Sequence, residues 1–330
     1  MSPHENAVPP VLDVHVTAAD LRAAMERDVR HGLTSAPKSL PPVYFYDDRG
    51  SRLFDEITRL PEYYPTRAER GILETSAKEM AELAAADTLV ELGAGTCEKT
   101  RVLLDAMAAT GRLARYVPFD VSATTIERAA GELASDYPGL RVHAVAGDFH
   151  RHLGHIPGGG RRLFAFLGGT VGNLDPNQRR RFLADLDTVL DAGDRLLLGT
   201  DLVKDRGTLL AAYDDDAGVT AEFNRNVLHV LNRELGADFV PDAFSHAPRW
   251  NEGDHRIEMW LRADGPQQVR VAALDLEVVF DDGEELLTEI STKFTPDGLA
   301  DEFASCGFEV EEQWLADDGA FLVTLSRPSR

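Results

Sequence analysis

The stretch DTLVELGAGTCEKT, residues 87–100, decides the fold of this chain. Its apolar part, Thr88–Leu92, stops at Gly93 and Gly95, and a segment that suits a helix begins at Lys99. The pattern predicts a buried strand that turns sharply into a helix. Glycine suits such a turn because it lacks a Cβ, so a ligand can approach the backbone closely. Glycines also end strands in plain turns, so this stretch alone predicts a fold and not a ligand.

Strands and helices alternate on both sides of this stretch. Further buried strands are predicted at 116–120, 142–146, 163–167 and 196–198, with helices at about 99–109, after Ser122 and at 178–190. Upstream, Thr66 and Glu69 have the spacing of a capping box that opens a helix. The alternation predicts the α/β class, with a doubly wound, mostly parallel sheet.

The rhythm changes after Asp201. Helices at 207–213 and 219–235 precede segments at 255–261, 269–280 and 285–293, in which apolar and polar residues alternate as in an antiparallel sheet. A helix at 296–305 and strands at 309–315 and 320–325 then predict a closing antiparallel hairpin. We therefore expect an α+β domain, residues 15–66 and 204–293, inserted into a sheet domain of residues 67–203 and 294–330. Residues 1–14 are predicted to form a loose N-terminus.

Composition excludes several classes of partner. Among 330 residues, 56 Asp and Glu outnumber 34 Lys and Arg, for a formal net charge of −22. Such a surface repels nucleic-acid phosphates and anionic lipids, and no apolar run approaches the roughly 20 residues that cross a membrane. Without a secretory signal pattern, the chain is expected to be cytoplasmic. Cys97 and Cys306 are too few for a metal site, and no histidine pair has ligand spacing, so an organic cofactor without metal is expected.

Acidic residues at successive strand ends indicate the kind of cofactor. A dinucleotide fingerprint would need glycine at position 98, where the chain has Glu98. Asp120 ends the next predicted strand, where a carboxylate can accept hydrogen bonds from ribose hydroxyls. Asp148 and Phe149 follow the third strand, in reach of an adenine amino group and ring. Any one of these acids can be a solvated loop residue, but together they favour a nucleoside without a pyrophosphate.

Over nearly its whole length the chain resembles the L-histidine Nα-methyltransferases of ergothioneine biosynthesis. The resemblance lies in YFYDDRGSRLFDEITRLPEYYPTRAE, VELGAGTCEKTRVLLDA, VPFDVS, AVAGDF, GGTVGNL, LLLGTDLVKD, AYDDDAGVTAEFNRNVLHVLNREL, RIEMWLRADG and EELLTEISTKF. It implies S-adenosylmethionine as the methyl donor, released as S-adenosylhomocysteine. It also implies that three methyl groups pass to the α-amino nitrogen of histidine, giving hercynine, in the first step of the pathway. The sheet domain would then bind S-adenosylmethionine, and the inserted domain would bind the substrate.

The resemblance also implies the residues of both sites. Those for S-adenosylmethionine are Gly93, Lys99, Asp120, Asp148, Phe149 and Gly168. Those for histidine are Tyr63, Asn173, Tyr213, Glu289 and Ser291, with Tyr46, Phe54 and Met259 nearby. The chain departs from the family pattern at Ala94 and Cys97, where the family has serine, and at Gly169, where the family has serine or a similar small residue, which puts only individual hydroxyl hydrogen bonds in doubt.

The implied residues have chemistry that suits histidine. Asn173 and Tyr213 can donate hydrogen bonds to the carboxylate, Glu289 can accept an imidazole N–H, and Ser291 lies on the same strand face as Glu289. The attacking amine must be neutral, and a nearby sulfonium together with desolvation lowers the pKa of an ammonium. Positioning then supplies most of the catalysis, with Asn173 and Tyr46 orienting the nitrogen.

Three other functions are compatible with parts of the pattern. A methyltransferase of the same architecture can act on another amino acid or amine. Glu289 and Ser291 disfavour that alternative because they suit hydrogen bonds to an imidazole. A catalytically silent S-adenosylmethionine-binding regulator would have no need of a histidine pocket. An NAD-dependent oxidoreductase is disfavoured by Glu98. Nothing in the sequence requires an assembly larger than a monomer.

Overall fold

The computed structural model describes residues 9–95, 97 and 99–330. A large sheet contains eight strands in the order β1-β5-β4-β3-β6-β7-β14-β13. Their bounds are β1 Val11–Val14, β3 Thr88–Leu92, β4 Arg115–Asp120, β5 Arg141–Ala146, β6 Arg162–Phe166, β7 Arg195–Asp201, β13 Phe308–Leu315 and β14 Phe321–Pro328. Strands β1 and β3–β7 are parallel, whereas β14 is antiparallel to both β7 and β13. This arrangement confirms the doubly wound sheet with its closing hairpin.

Helices cover both faces of this sheet. The helices are α1 Ala18–Thr34, α2 Asp48–Ile57, α3 Pro65–Ala84, α4 Thr100–Ala109, α5 Ala123–Asp136, α6 Pro176–Val189, α7 Arg206–Ala211, α8 Val219–Leu235 and α9 Pro296–Ser305. In β3, Leu89 packs in one apolar cluster with α3, α4 and α5, and its neighbour Val90 packs in another with α6 and α9. Successive side chains on a strand point to opposite faces, so β3 must be apolar throughout.

Helix α3 does not begin as the sequence predicts. Tyr64 is its N-cap residue, Pro65 occupies the first turn, and no side chain caps the helix. Proline suits that position because it has no N–H to leave unpaired. The predicted capping box of Thr66 and Glu69 is therefore wrong, and Glu69 is instead fully buried.

A second region packs beside the large sheet. It contains a four-stranded sheet in the order β2-β12-β9-β8 and a separate hairpin, β10 with β11. The strands are β2 Lys38–Ser39, β8 Phe244–Asn251, β9 Arg256–Ala263, β10 Gln267–Val271, β11 Leu276–Phe280 and β12 Glu285–Thr292. The single strand predicted at 269–280 is wrong, because a 3₁₀ turn at Ala272–Leu274 divides it. The sequence does not predict strand β8, because its polar residues hide the alternation.

The N-terminus is more ordered than the sequence predicts. The expectation of a loose segment at residues 1–14 is wrong for Val11–Val14, which pairs in parallel with β5 and extends the large sheet at its edge. Leu12 packs against the core of that sheet, which explains why so short a segment is held. Residues 1–8 lie outside the described part of the chain.

The N-terminal block and the region after β7 share one apolar core. Val29 and Leu33 of α1 pack in the same cluster as Val227 and Leu231 of α8 and the buried face of β9.

Within residues 9–95, 97 and 99–330, no helix is long and apolar enough to cross a membrane. A set of polar residues lies where this second region meets the carboxyl ends of the parallel strands.

Candidate active site

The glycine loop, residues 93–95, follows β3 and is held by the carboxylate at the end of β4. Gly93 and Gly95 have φ angles of +72° and +51°, which residues with a Cβ rarely adopt. The Gly95 N–H donates to Asp120 Oδ2 at 2.9 Å, and the Ser122 N–H donates to Oδ1 at 3.0 Å. Each carboxylate oxygen keeps acceptor capacity, so Asp120 can also receive ribose hydroxyls. Glu98 lies outside the described residues, and its role rests on the sequence alone.

A polar cluster lies beneath the glycine loop. The buried Glu91 accepts hydrogen bonds from the hydroxyls of Thr100 and Tyr116, and burial raises the pKa of Glu91 to about 7. The Tyr116 hydroxyl also contacts Cys97 Sγ at 3.2 Å. Burial raises the pKa of the Cys97 thiol to about 12, so at neutral pH it is not a nucleophile.

Asp148 and Phe149 follow β5, the next strand along the edge. The His150 N–H donates to Asp148 Oδ1 at 2.8 Å, which fixes the carboxylate in its own loop. The Phe149 ring is half-buried and lies with its centroid 5.7 Å from that of Phe166 and 5.5 Å from that of Phe182. The Gly147 N–H donates to the Asp120 carbonyl at 2.8 Å, so the two acidic strand ends are neighbours. The geometry therefore provides a carboxylate and an aromatic edge next to Asp120.

Glu69 is a site residue that sequence reasoning assigned to another role. Its Oε2 accepts from Lys99 Nζ at 2.8 Å, and its Oε1 accepts from the Gly168 N–H at 2.6 Å. Gly168 has a φ of +82°, and a Cβ on Gly199 would overlap the Glu69 carboxylate. Helix α3 thus supplies one buried carboxylate that ties together two predicted cofactor residues. The sequence did not indicate this role, because the three-residue spacing of Thr66 and Glu69 predicts a capping box.

Aromatic rings from four separate segments form a continuous wall. Tyr46 and Phe54 lie with ring centroids 5.6 Å apart, Phe54 and Tyr63 are 6.1 Å apart, and Tyr63 and Tyr213 are 6.3 Å apart. All three contacts are edge-on, as aromatic pairs prefer. Burial, the other tyrosines and the nearby Glu289 raise the pKa of Tyr63. The pKa of Tyr46 is raised in the same direction by desolvation among these rings and by Glu289 and Tyr213, although its side chain is 48% exposed. Their hydroxyls stay protonated at neutral pH and can act only as hydrogen-bonding groups.

Asn173 and Glu289 meet although 116 positions separate them. Asn173 ends a 3₁₀ turn after β6, and its Nδ2 donates to Glu289 Oε1 at 3.3 Å. The turn lies tight against β12, because a Cβ on Gly172 would come 2.8 Å from the Thr292 carbonyl oxygen. Burial raises the pKa of Glu289 to about 7, although Lys293 and Asn173 act in the opposite direction.

Five residues form what we call the junction cluster: Asp201 at the end of β7, Tyr213 just after α7, Glu289 and Ser291 on one face of β12, and Lys293 just after β12. Lys293 Nζ lies 2.8 Å from Asp201 Oδ2, 2.9 Å from the Tyr213 hydroxyl and 2.8 Å from Ser291 Oγ. The Tyr213 hydroxyl donates to Ser291 Oγ at 2.7 Å. The sequence predicts neither Asp201 nor Lys293 as a site residue. The one signal in the sequence is that each is a charged residue at the end of a predicted strand.

Met259 lies beside this cluster, on the same face of the sheet as Glu289. On β9 it pairs in register with Glu289 of β12, and Ile257 pairs with Ser291. Its side chain is 1% exposed and belongs to the apolar core of the second region. A β-bulge between Leu287 and Glu289 leaves Thr288 to donate to the Met259 carbonyl at 2.9 Å, which fixes the register that presents Glu289 and Ser291.

Together these groups define a class of protein. A doubly wound sheet carries acidic side chains at the carboxyl ends of adjacent parallel strands. Residues 9–95, 97 and 99–330 contain no group of three or more side chains that could hold a metal ion. Asp120 suits a ribose, and Lys99 beside Gly168 suits a carboxylate, as in the amino-acid half of S-adenosylmethionine. The molecule is an S-adenosylmethionine-dependent methyltransferase of the Rossmann-like type.

Comparison with known proteins gives the family. The model of the family "Histidine-specific methyltransferase, SAM-dependent" matches residues 25–328, and the chain belongs to that family. It is 58% identical over 310 residues to the histidine N-alpha-methyltransferase of Mycolicibacterium smegmatis, covering 94% of this chain and 97% of that protein. It is likewise 58% identical to the histidine N-alpha-methyltransferase of Mycobacterium tuberculosis, covering 92% and 94% of the two chains. Among solved structures, an S-adenosylmethionine-dependent methyltransferase from Clostridium acetobutylicum has a TM-score of 0.46, with 11% identity over 86% of this chain and 99% of that chain.

Proposed function

We propose that this enzyme transfers three methyl groups from S-adenosylmethionine to the α-amino nitrogen of L-histidine and so forms hercynine for ergothioneine biosynthesis. The observation that carries the proposal is the meeting of Asn173 with Glu289 beside Ser291 and Tyr213. These residues come from three distant segments and surround one point with amide, carboxylate and hydroxyl groups. A site that hydrogen-bonds a polar ring in this way rejects substrates that lack its nitrogens.

The donor would be held by the groups along the edge of the large sheet. We assign the ribose to Asp120, the adenine to Asp148 and Phe149, and the amino-acid half to Lys99, the glycine loop and Gly168. S-adenosylmethionine supplies an electrophilic methyl group on a positively charged sulfur. Glu69 would hold Lys99 and the Gly168 N–H in place, because it binds both with one carboxylate.

The substrate would lie between the aromatic wall and β12. We assign the imidazole to Glu289 and Ser291, the carboxylate to Asn173, and the walls to Tyr63 and Phe54. The sequence also assigns the carboxylate to Tyr213, but its hydroxyl proton is already donated to Ser291 Oγ, so we assign Tyr213 to the wall. Met259, which shares a sheet face with Glu289, would lie beside the imidazole. The pKa of Glu289, about 7, leaves it largely ionised in mildly alkaline solution and able to accept an imidazole N–H.

Deprotonation of the amine needs no strong base in this arrangement. The raised pKa values of Tyr46 and Tyr63 exclude a phenolate base at neutral pH. A cationic donor beside the amine in a partly dry site lowers the pKa of the ammonium group. We propose that Asn173 and the Tyr46 hydroxyl orient the neutral nitrogen toward the methyl group, so that positioning is the main source of rate enhancement.

Mass spectrometry of histidine incubated with the enzyme and S-adenosylmethionine tests this function. The expected product is histidine with three added methyl groups, all on the α-nitrogen, as fragmentation of the product ion would show. Methylation on the ring, or methylation confined to a different amino acid or amine, would overturn the proposal. Binding of S-adenosylmethionine without any product would favour a regulatory protein instead.

The division into two domains completes the proposal. We propose that residues 67–203 and 294–330 bind S-adenosylmethionine and that residues 15–66 and 204–293 bind histidine, so the substrate is clasped between them. The enzyme is proposed to act as a cytoplasmic monomer without nucleic-acid or membrane partners. Light scattering of the purified enzyme at micromolar concentration tests the monomer, and a dimer mass would contradict it.

A further inference from the structure

Lys293 occupies a place that neither the donor nor the substrate assignment uses. It is 2% exposed, lies just past the end of β12, two residues after Ser291, and makes an ion pair with the likewise buried Asp201. A buried ammonium group is costly unless every proton has a partner. Its three partners, Asp201 Oδ2, the Tyr213 hydroxyl and Ser291 Oγ, match its three protons.

The ammonium group dictates the direction of its neighbours' hydrogen bonds. Lysine has donors and no acceptor, so Tyr213 and Ser291 must both accept from Lys293. The single Tyr213 proton is then donated to Ser291 Oγ at 2.7 Å. Ser291 Oγ accepts twice, which occupies both of its lone pairs.

The hydroxyl proton of Ser291 therefore remains available for donation. Among the residues that the structure describes, none accepts a hydrogen bond from the Ser291 hydroxyl. Glu289, on the same face of β12, is an acceptor when it is ionised. The two side chains thus present one donor and one acceptor to whatever lies between them.

We propose that Lys293 is a positioning residue that makes Ser291 an obligate donor, so that the site binds a neutral imidazole in one tautomer. The ring gives its N–H to Glu289 and receives the Ser291 proton on its other nitrogen. This inference rests on the proposed histidine substrate. It adds the requirement that the ring carry one donor and one acceptor nitrogen, in a fixed order.

The surrounding charges keep this arrangement in place. Burial by itself would lower the pKa of Lys293, but the Asp201 carboxylate and the Tyr213 hydroxyl raise it above its usual value. Asp201 is held from the other side by Lys204 and by the Tyr64 hydroxyl, which donates to Asp201 Oδ2 at 2.8 Å. Lys204 touches neither Tyr213 nor Ser291, so it offers a matched control for removal of the Lys293 charge.

The test uses ring analogues of histidine at pH 8, where Glu289 is mostly ionised. Pyrrolylalanine isomers keep a ring N–H and lack the acceptor nitrogen, whereas thiazolylalanine isomers keep an acceptor and lack the N–H. We expect KM for the better pyrrolylalanine to exceed that for histidine by roughly 10- to 100-fold, because the Ser291 donor is left unpaired. In Ser291→Ala this ratio should fall close to one.

Lys293→Met tests the origin of the discrimination. Without the ammonium group, the Ser291 hydroxyl is free to turn and accept a ring N–H, so the ratio of the two KM values should again approach one. In Lys204→Met the ratio should stay at the wild-type value. An unchanged ratio in either Lys293→Met or Ser291→Ala would overturn the inference, while histidine that is not methylated at all would overturn the proposed function.

Nitrogen NMR gives a readout that needs no folded variant. Histidine labelled with ¹⁵N in the ring, bound to the wild-type enzyme with S-adenosylhomocysteine at pH 8, should show one protonated and one unprotonated ring nitrogen, without tautomer averaging. Two protonated nitrogens, or a pair of averaged resonances, would contradict the inference even if every variant failed to fold.

Discussion

The edge of the large sheet and the junction cluster are built in opposite ways along the chain. Gly93, Asp120 and Asp148 lie at or just after the ends of three parallel strands, and they succeed one another at regular intervals. Asn173, Tyr213 and Glu289 come from a short turn, a helix end and a bulged strand of another sheet. The parallel sheet places the first set by topology alone, whereas the second set depends on how two regions pack.

The first region was therefore predictable from periodicity. Apolar runs that stop at a glycine or an acid predict both the strand and its functional end, and their alternation with helices predicts that the strands are mostly parallel. The closing hairpin at the far edge is predictable in the same way. Periodicity fails at Val11–Val14, because four residues at a sheet edge carry too little pattern to be distinguished from a loop.

The second region was predictable only through family resemblance. Glu289 taken alone has the pattern of a solvated strand acid, and Asn173 has that of a turn residue. Two residues escape even the resemblance: Lys293 has the pattern of a strand end, and Glu69 that of a helix cap. Both are defined by partners at least 30 positions away in sequence, at Asp201 and Lys99, which no local pattern reports.

Asn173 contacts Glu289 of the junction cluster, and Asn173→Ala should have the largest effect on catalysis. It removes the amide that contacts Glu289 and that is proposed to orient the amine, so kcat/KM for histidine should fall by about 100-fold. Asn177→Ala, on the exposed first turn of α6, is the control and should change little. Unchanged turnover and unchanged histidine affinity in Asn173→Ala would show that the junction cluster does not bind the substrate.

Glu69→Gln should affect the other region and the other ligand. The amide that replaces one oxygen faces either the Lys99 ammonium or the Gly168 N–H, donor against donor, so KM for S-adenosylmethionine should rise by about tenfold. The histidine KM should be much less affected. Glu74→Gln, which is on the same helix and pairs only with Arg70 at the surface, is the control. An equal rise in both KM values would show that Glu69 does not act on the S-adenosylmethionine site alone.

Glu289→Gln should stabilise the protein while weakening histidine binding. Burial raises the pKa of Glu289 from 4.5 to about 7, so the folded state holds its proton more tightly than the unfolded chain does. Ionisation of Glu289 therefore opposes folding at high pH, and this cost fades as the pH falls from about 7 to about 4.5.

Denaturant unfolding at pH 8 and at pH 5 measures this effect. We expect Glu289→Gln to raise the free energy of unfolding by about 1 kcal/mol at pH 8, after allowance for water in the site, and by less at pH 5. A loss of stability at pH 8 would mean that the carboxylate is better paired than its surroundings indicate. The same sign is not expected at Asp201, whose pKa Lys293 and Lys204 lower against the effect of burial.

Asp13→Asn should have the smallest effect. Asp13 on the edge strand β1 pairs with His143 of β5 at 2.6 Å, and the carboxylate is 44% exposed. Exposed pairs of this kind contribute at most about 1 kcal/mol, so thermal unfolding should shift slightly and both KM values should stay as in the wild type. A change in either KM would mean that β1 supports the binding edge and not only the sheet.

Substrate competition tests the central claim most directly. The enzyme is given the twenty common amino acids at equal concentration together with methyl-labelled S-adenosylmethionine, and the labelled products are identified by mass. Histidine should carry nearly all of the label, and its final product should contain three labelled methyl groups on the α-nitrogen. Label on another amino acid in preference to histidine, or on the imidazole ring, would contradict the account.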